Sequence, residues 1–271
     1  MSAYLDELFS VSGKTALVTG AATGIGRMIA TALVRSGARV LIASRKAADC
    51  EAVAAELNAI GPGTAEGFGA DVSSEQGIAA LVAEVNARVD SLNILINNAG
   101  NSWGEPLKTF PYKGWGRVFD VNITGVFHLT RELIPLLEKA ATGDDPARVI
   151  SLGSVMGTQA IADGAYSYAA SKAAVHHMTK IFALDLAPRN ITVNAFAPGP
   201  FQSRMMDFAV GTDEKAKRAG AKVPIGRIGR PDDIAGATLY LCSRAGSYIT
   251  GAILPIDGGQ AVQHGVSLFE G

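Results

Sequence analysis

Residues 15–26 have the sequence TALVTGAATGIG, a pattern typical of a strand, a glycine turn and the first turn of a helix. The first five residues are apolar or β-branched and predict a buried strand, and a helical pattern follows over residues 25–36. Gly20, Gly24 and Gly26 fill the turn, where glycine permits positive φ and a close approach of phosphate groups. The first N–H groups of such a helix attract anions. The segment therefore predicts a dinucleotide-binding turn, with a turn that is merely tight as the alternative.

Short apolar strands and longer helical patterns alternate along the rest of the chain. Strands are predicted at residues 15–19, 39–43, 66–70, 94–97, 148–152, 192–197 and 252–256. Helices are predicted at residues 25–36, 47–60, 74–89, 115–141, 166–186 and 231–242. This alternation indicates an α/β fold, a Rossmann-type doubly wound parallel sheet with helices on both faces. We expect a single domain over residues 1–271, with residues 1–12 as an N-terminal extension and residues 260–271 as a C-terminal tail.

The composition excludes several classes of function. The chain has 271 residues, of which 48% are hydrophobic, and a formal net charge of −1, so no broad attraction to nucleic acid or to an anionic membrane is expected. No secretory signal pattern and no membrane-length apolar run is present, which predicts a cytoplasmic protein. Cys50 and Cys242 are expected to be reduced packing residues, with one disulfide as the alternative. His176 and His177 have no third ligand nearby in sequence, so we expect no metal site.

The end of the second predicted strand bears on the choice of cofactor. It has the sequence Ala43-Ser44-Arg45-Lys46 and lacks the acidic residue that would bind the adenosine 2′-hydroxyl of NAD(H). Ser44 and Arg45 instead suit a 2′-phosphate, because a guanidinium binds phosphate through charge-assisted hydrogen bonds. The pattern favours NADP(H) over NAD(H), and a solvated basic pair at the start of a helix is the plain alternative.

Tyr168 and Lys172 stand four residues apart in a helical pattern, so they share one helix face. A free tyrosine is a poor base at neutral pH, but a nearby ammonium favours the phenolate and is expected to lower its pKa. Such a phenol can exchange a proton with a ketone or an alcohol. Because a Tyr-x-x-x-Lys pair also occurs by chance, its surroundings matter. Ser154 follows one predicted strand and Asn97–Gly100 ends another, at the same edge of the sheet.

This set of motifs resembles the classical short-chain dehydrogenase/reductase family over essentially the whole chain. The matching segments are Thr19–Gly26, Asn97–Gly100, Ser154, Tyr168 with Lys172, and Pro198–Gly199. The resemblance implies that Tyr168 is the general acid/base, that Ser154 polarises the substrate carbonyl, and that Lys172 also binds the nicotinamide ribose. It implies further that Asn122 holds a proton-relay water, although the residues alone favour an amide that caps or satisfies a helix kink.

Cofactor contacts follow from the glycine turn, the end of the second strand and the resemblance. Asp71 matches the residue that contacts adenine, and Ser203 stands where a threonine often bonds the nicotinamide carboxamide. The complete set is Gly20, Thr23, Gly24, Ile25, Gly26, Ser44, Arg45, Asp71, Val72, Asn98, Ala99, Gly100, Tyr168, Lys172, Pro198, Gly199, Phe201 and Ser203. One departure concerns spacing: Ser154 precedes Tyr168 by 14 positions, one more than is common in the family, so the loop between them must absorb a residue.

Within the family, residues 101–104, the longer spacing and residues 198–205 are most similar to a bacterial NADPH-dependent β-ketoacyl reductase branch linked to rhamnolipid synthesis. Residues 202–221 are rich in Lys, Gly and Met and predict a mobile lid over the substrate. The side chains that could line an apolar substrate pocket, or equally belong to ordinary core, are Trp103, Met156, Tyr166, Phe201, Met205 and Met206.

We therefore predict an NADP(H)-dependent oxidoreductase that interconverts a ketone and a secondary alcohol by hydride transfer, with a 3-ketoacyl thioester as the leading small-molecule substrate. One alternative is an NAD-linked dehydrogenase of a steroid, sugar or aromatic alcohol. Another is a non-catalytic NADP(H)-binding sensor on the same fold. The family also implies a homo-oligomer, either a tetramer or a dimer, joined through helix pairs and residues 249–271.

Overall fold

Parallel strands form one continuous sheet. The computed structural model describes residues 3–161, 163–203 and 210–263, and within them it has seven strands. These are β1 Thr15–Thr19, β2 Arg39–Ser44, β3 Thr64–Gly69, β4 Ile94–Asn97, β5 Ala147–Leu152, β6 Ile191–Pro198 and β7 Ile253–Ile256. Their order is β3-β2-β1-β4-β5-β6-β7, and every neighbouring pair is parallel. The strand order reverses between β1 and β4, which confirms the doubly wound sheet.

Helices cover both faces of this sheet. Those of the described residues are α1 Ala3–Phe9, α2 Gly24–Arg35, α3 Ala47–Asn58, α4 Glu75–Asn86, α5 Lys113–Phe119, α6 Val126–Ala140, α7 Tyr166–Leu186, α8 Asp213–Gly220 and α9 Pro231–Cys242. One apolar core lies between the sheet and α2, α3 and α9, and a second lies between the sheet and α4, α6 and α7. Because helices cover the sheet on both faces, its strands β4, β5 and β6 are buried at every residue.

Three elements differ from the sequence-based prediction: α1, the long helix over residues 115–141, and α8, a helix inside the segment predicted as a lid. Helix α1 was not predicted, since none of its residues is buried and its apolar pattern is weak. The long helix predicted over residues 115–141 is divided into α5 and α6 by a π-helical segment, Asp120–Gly125. At Gly125 the segment approaches the loop after β3 so closely that a Cβ would lie 2.4 Å from the carbonyl oxygen of Val72. The π-helical segment, whose turn is wider than that of an α-helix, therefore occurs where the chain passes close to this loop.

Other expectations can be compared with the described residues directly. Cys50 and Cys242 are buried and unpaired, as expected for packing residues. In the described part of the chain, no helix combines the length and the apolar character needed to cross a membrane.

Candidate active site

The glycine turn lies against the end of β4, at the reversal of the strand order. Thr19 Oγ1 accepts the backbone N–H groups of Asn98, at 3.1 Å, and Ala99, at 3.0 Å. The Asn98 amide Nδ2 donates back to the carbonyl oxygens of Thr19, at 2.8 Å, and Gly20, at 3.1 Å. A Cβ at Gly26 would lie 2.3 Å from that same Nδ2. Asn98 therefore fixes the turn, and Gly26 is required to make room for its amide.

The start of α2 is open to an anion. Gly24 has a φ of +59°, and the preceding Thr23 makes no side-chain cap to the helix. The first N–H groups of α2, including that of Ile25, thus donate no hydrogen bond to the Thr23 side chain, as is typical of phosphate-binding helices. A Cβ at Gly24 would lie 2.9 Å from Ser203 Cβ, so the segment after β6 passes directly over the turn.

The end of β2 presents a hydroxyl and a guanidinium. Ser44 Oγ shares a hydrogen bond with Cys50 Sγ at 3.0 Å. Arg45 is exposed and forms no ion pair with any residue that the structure describes. On the next strand loop Asp71 is half-buried, accepting the Ser73 N–H at 3.0 Å, and Val72 is buried. The end of β2 therefore presents the positive charge of Arg45 next to the Ser44 hydroxyl.

Tyr168, Lys172 and Ser154 come together at the carboxyl edge of the sheet. Tyr168 and Lys172 lie one turn apart on α7, and Lys172 Nζ is 5.5 Å from the centroid of the Tyr168 ring. The Ser154 side chain lies close enough to the Tyr168 hydroxyl to affect its pKa, and its Oγ accepts the N–H of Met156 at 3.2 Å. Lys172 Nζ donates to the carbonyl oxygen of Leu152 at 2.5 Å.

Burial determines the proton affinities of this cluster. Burial raises the pKa of Tyr168 above its ordinary value, the nearby Ser154 side chain opposes the rise, and Asp163 adds to it. The expectation that Lys172 lowers the pKa of Tyr168 is therefore wrong for this structure, because desolvation dominates. Burial also lowers the pKa of Lys172 to about 8. At neutral pH the phenol is protonated and the lysine carries its charge.

Asn122 lies in the π-helical segment and uses its side chain to join two other elements. Its Nδ2 donates to Ser171 Oγ at 2.9 Å and to the carbonyl oxygen of Asn101 at 3.0 Å, and its Oδ1 accepts the Asn101 N–H at 2.8 Å. Ser171 Oγ in turn donates to the carbonyl oxygen of Tyr168 at 2.7 Å. The Asn122 amide thus ties the segment after β4 to α7. A Cβ at Gly100 would be 3.8 Å from Lys172 Nζ, which brings that segment beside the cluster.

The segment after β6 borders the same edge. A Cβ at Gly199, which follows Pro198, would lie 2.9 Å from both Asp257 Cα and Gln260 Oε1. Phe201 is 2% exposed, and its ring occupies the place of a side chain at Gly229. The Phe201 ring therefore belongs to the core, which leaves its backbone for any cofactor contact.

The described pocket residues lie on the loop after β4, on the turn after β5 and at the start of α7. Trp103 is half-buried, with Lys113 Nζ and Arg117 Cζ at 5.8 Å and 5.5 Å from its ring. Tyr166 is exposed and packs edge-on against Phe110 at 5.4 Å, a contact that sequence reasoning missed. Met156 is half-buried next to Val155, whereas Met205 and Met206 lie outside the described residues.

His176 is a further residue that sequence reasoning left without a role at the site. It is buried, whereas His177 is exposed, and its Nε2 accepts the backbone N–H of Ser154 at 3.4 Å. The signal in the sequence was its position, since His176 stands eight residues after Tyr168 and four after Lys172 on α7.

Comparisons with known proteins give a consistent result over the length of the chain. Residues 20–261 match the family model described as enoyl-(acyl carrier protein) reductase. The chain is 43% identical over 254 residues to the rhamnolipids biosynthesis 3-oxoacyl-(acyl-carrier-protein) reductase of Pseudomonas aeruginosa, a match that covers 93% of this chain and 97% of that protein. It is 34% identical to the 7alpha-hydroxysteroid dehydrogenase of Escherichia coli, covering 92% of this chain and 94% of the relative.

Among solved structures, the chain is similar to the RhlG/NADP active-site complex of Pseudomonas aeruginosa. The TM-score is 0.90 at 42% sequence identity, and the match covers 94% of this chain and 99% of that one. The similarity therefore includes both the sheet and the segments that surround the cluster.

Proposed function

This chain belongs to the short-chain dehydrogenase/reductase family, and from that membership we propose that it reduces a 3-ketoacyl thioester to the 3-hydroxyacyl thioester with NADPH. It is an NADP(H)-dependent oxidoreductase that interconverts a ketone and a secondary alcohol. The identity of 43% to a 3-oxoacyl-(acyl-carrier-protein) reductase supports the thioester as substrate.

The observation that carries the proposal is the placement of Tyr168 and Lys172 one turn apart on α7, with Lys172 Nζ 5.5 Å from the Tyr168 ring and Ser154 beside the phenol. A hydroxyl, a protonated phenol and an ammonium converge at the sheet edge where ligands of doubly wound folds bind. A sensor that only binds the dinucleotide has no chemical use for this arrangement.

The residues present fit NADP(H). The open start of α2 and the positive φ of Gly24 suit a pyrophosphate, and Arg45 and Ser44 offer a cation and a hydroxyl for a 2′-phosphate. When bound, the cofactor supplies the hydride. We assign contacts along its length to the glycine turn, to Asp71 and Val72, to residues 98–100 and to the segment from Pro198 to Ser203.

In the reducing direction, Ser154 Oγ and Tyr168 Oη both approach the substrate carbonyl oxygen. Ser154 Oγ accepts the Met156 N–H, and when substrate is bound we assign its own hydrogen to the carbonyl oxygen, where it stabilises the developing negative charge. Tyr168 then gives its phenolic proton to the developing alkoxide, and the raised pKa keeps that proton in place until it is needed. Lys172 holds a positive charge behind the phenol, and Asn122 fixes the backbone of the surrounding elements.

The test is NADPH oxidation with a 3-ketoacyl thioester, and with steroid, sugar and aromatic ketones, for the wild type and Tyr168→Phe. We expect turnover of the thioester that falls by at least about a hundredfold in the variant, because the proton donor is lost, while NADPH binding is retained. Tyr4→Phe, at an exposed tyrosine of α1, is the matched control and should leave the rate unchanged. Preference for a steroid ketone would replace the substrate assignment, and NADPH binding without any turnover would favour a sensor.

We also propose a homo-oligomer, a dimer or a tetramer. Apolar side chains on the outer faces of α6 and α7 support it: Phe127 and Ile181 are exposed, and Leu184 is 79% exposed. Side chains of this kind usually mark a contact with another protein surface when they are grouped.

A further inference from the structure

The backbone turn that carries Ser154 is wrapped around the imidazole of His176. The ring is 7% exposed, Nε2 accepts the Ser154 N–H at 3.4 Å, and Nδ1 lies 3.4 Å from Thr158 Oγ1. A Cβ at Gly153 would lie 2.2 Å from Nε2, and one at Gly157 would lie 2.7 Å from Cε1. The two glycines thus allow the backbone to contact the ring from both sides.

One form of the ring satisfies both of its contacts. If Nε2 accepts the Ser154 N–H, it carries no hydrogen, so the hydrogen lies on Nδ1 and is donated to Thr158 Oγ1. Burial, followed by the positive charges of Lys172 and Lys180, lowers the pKa of His176 to about 4. The neutral ring is therefore the form present near neutral pH, and it can serve as the acceptor.

We propose that His176 is a positioning residue for the reduction, which holds the Ser154 backbone in register with Tyr168. Tyr168 and His176 are two turns apart on one face of α7, so this single helix carries the acid and also sets the position of the serine. The inference rests on the roles proposed for Ser154 and Tyr168.

The first test removes the hydrogen-bond acceptor of His176 but keeps an aromatic ring in its place. His176→Phe retains an aromatic ring, and a cavity of about 530 Å³ beside the imidazole provides room for it. We expect kcat for ketone reduction to fall roughly tenfold, as for loss of one orienting hydrogen bond, while the ketone KM and the NADPH Kd from fluorescence stay unchanged. His176→Gln, whose amide oxygen can reach the place of Nε2, should recover part of the loss. His177→Phe, at the adjacent exposed histidine, is the control and should match the wild type.

A double-mutant cycle separates positioning from general stability. In a Ser154→Ala background, His176→Phe should cause little further loss of kcat, because the group that it positions is already absent. A full additional tenfold loss would show that His176 acts elsewhere and would overturn the inference, as would a wild-type kcat in His176→Phe. Absence of thioester reduction by the wild type would instead contradict the proposed substrate, and the same cycle can then be measured with whichever ketone is turned over.

Discussion

Ser44 and Arg45 determine the chemistry at the adenosine end of the proposed cofactor site. The Ser44 hydroxyl is held by Cys50 Sγ at 3.0 Å, and Arg45 projects from the end of β2 without an ion-pair partner in the described part of the chain. To donate to a phosphate, Ser44 must receive the thiol hydrogen of Cys50, which is buried and whose pKa is raised by that burial. The thiol is thus kept in the protonated form that this arrangement requires.

Arg45→Ala should weaken NADPH far more than NADH. Loss of a charge-assisted hydrogen bond to the 2′-phosphate is expected to raise the NADPH Kd by about ten- to a hundredfold, with little change for NADH. Fluorescence titration with each cofactor measures the two constants. Lys46→Ala, at the adjacent exposed lysine, is the matched control. Equal losses for both cofactors in Arg45→Ala would contradict the 2′-phosphate assignment.

Lys172 gives the site an alkaline limit. Its pKa of about 8 means that the free enzyme loses the ammonium charge as the pH rises through 8. The value of kcat/KM for NADPH, which reports groups of the free enzyme, should therefore decline above about pH 8. The raised pKa of Tyr168 keeps the phenol out of this transition. In Lys172→Arg, where the charge persists, the decline should disappear even though the plateau is lower; an unchanged alkaline limb in that variant would assign it to another group.

The same burial affects stability with a definite sign. The folded-state pKa of Lys172, about 8, lies below its ordinary value of 10.5, so between these pH values the unfolded chain binds more protons than the folded one. Burial of this lysine therefore lowers the stability below pH 8, and the penalty is relieved as the pH rises from 8 toward 10.5. Above pH 8 the stability should therefore rise while kcat/KM falls. Measuring both over one pH series separates the two effects.

At the scale of elements, the strand–turn–helix unit depends on the contact between Gly26 and Asn98. Gly26→Ala would place a Cβ 2.3 Å from Asn98 Nδ2 and 2.8 Å from the carbonyl oxygen of Gly20. We expect a loss of about 1–3 kcal/mol in the free energy of unfolding, together with weaker NADPH binding. The reason is that the new methyl group would displace the Asn98 amide from its hydrogen bonds to the turn. Denaturant unfolding and cofactor titration measure these effects.

Gly236 in α9 provides the matched control for that substitution. A Cβ there meets no atom within 4 Å, so Gly236→Ala should stabilise the helix by about 0.5–1 kcal/mol. A Gly26→Ala variant with wild-type stability would show that Asn98 moves aside without cost.

The elements that sequence alone could predict are those whose signal is local. The bounds predicted for β1, β4, α7 and α9 agree with the structure, because buried strands and long helices with clear ends carry strong patterns. The π-helical segment Asp120–Gly125 carries no such pattern, and its close contact at Gly125 is with Val72, in the loop after β3, which is far away in the sequence.

The same division applies to the candidate site. Motif spacing predicted that Ser154, Tyr168 and Lys172 would meet at one edge, and the structure brings them together. Spacing could not predict that burial outweighs Lys172 in setting the pKa of Tyr168, nor that the Asn98 amide requires Gly26. Both effects depend on side chains that are far apart in the sequence and become neighbours only after folding.

At the scale of the whole molecule, two groups of exposed apolar side chains among the described residues bear on assembly. The α6–α7 surface consists of Phe127, Ile181 and Leu184, with the Phe127 ring stacked on Phe182 at 5.6 Å. The β7 surface includes Tyr248, which is fully exposed, beside the last strand. Two separate surfaces of this kind can each support a two-fold contact, and both together would build a tetramer.

Charging one surface should therefore halve the assembly without unfolding the chain. For a chain of 28.0 kDa, Leu184→Glu is expected to convert a tetramer into a dimer, or a dimer into a monomer, because a carboxylate would be buried against its symmetry mate. Light scattering coupled to size exclusion measures the mass. Ile60→Glu, at an exposed isoleucine two residues after the end of α3, is the control and should leave the mass unchanged. A wild type at the mass of one chain would contradict the oligomer, and a Leu184→Glu variant that keeps the full mass would move the contact to the β7 surface.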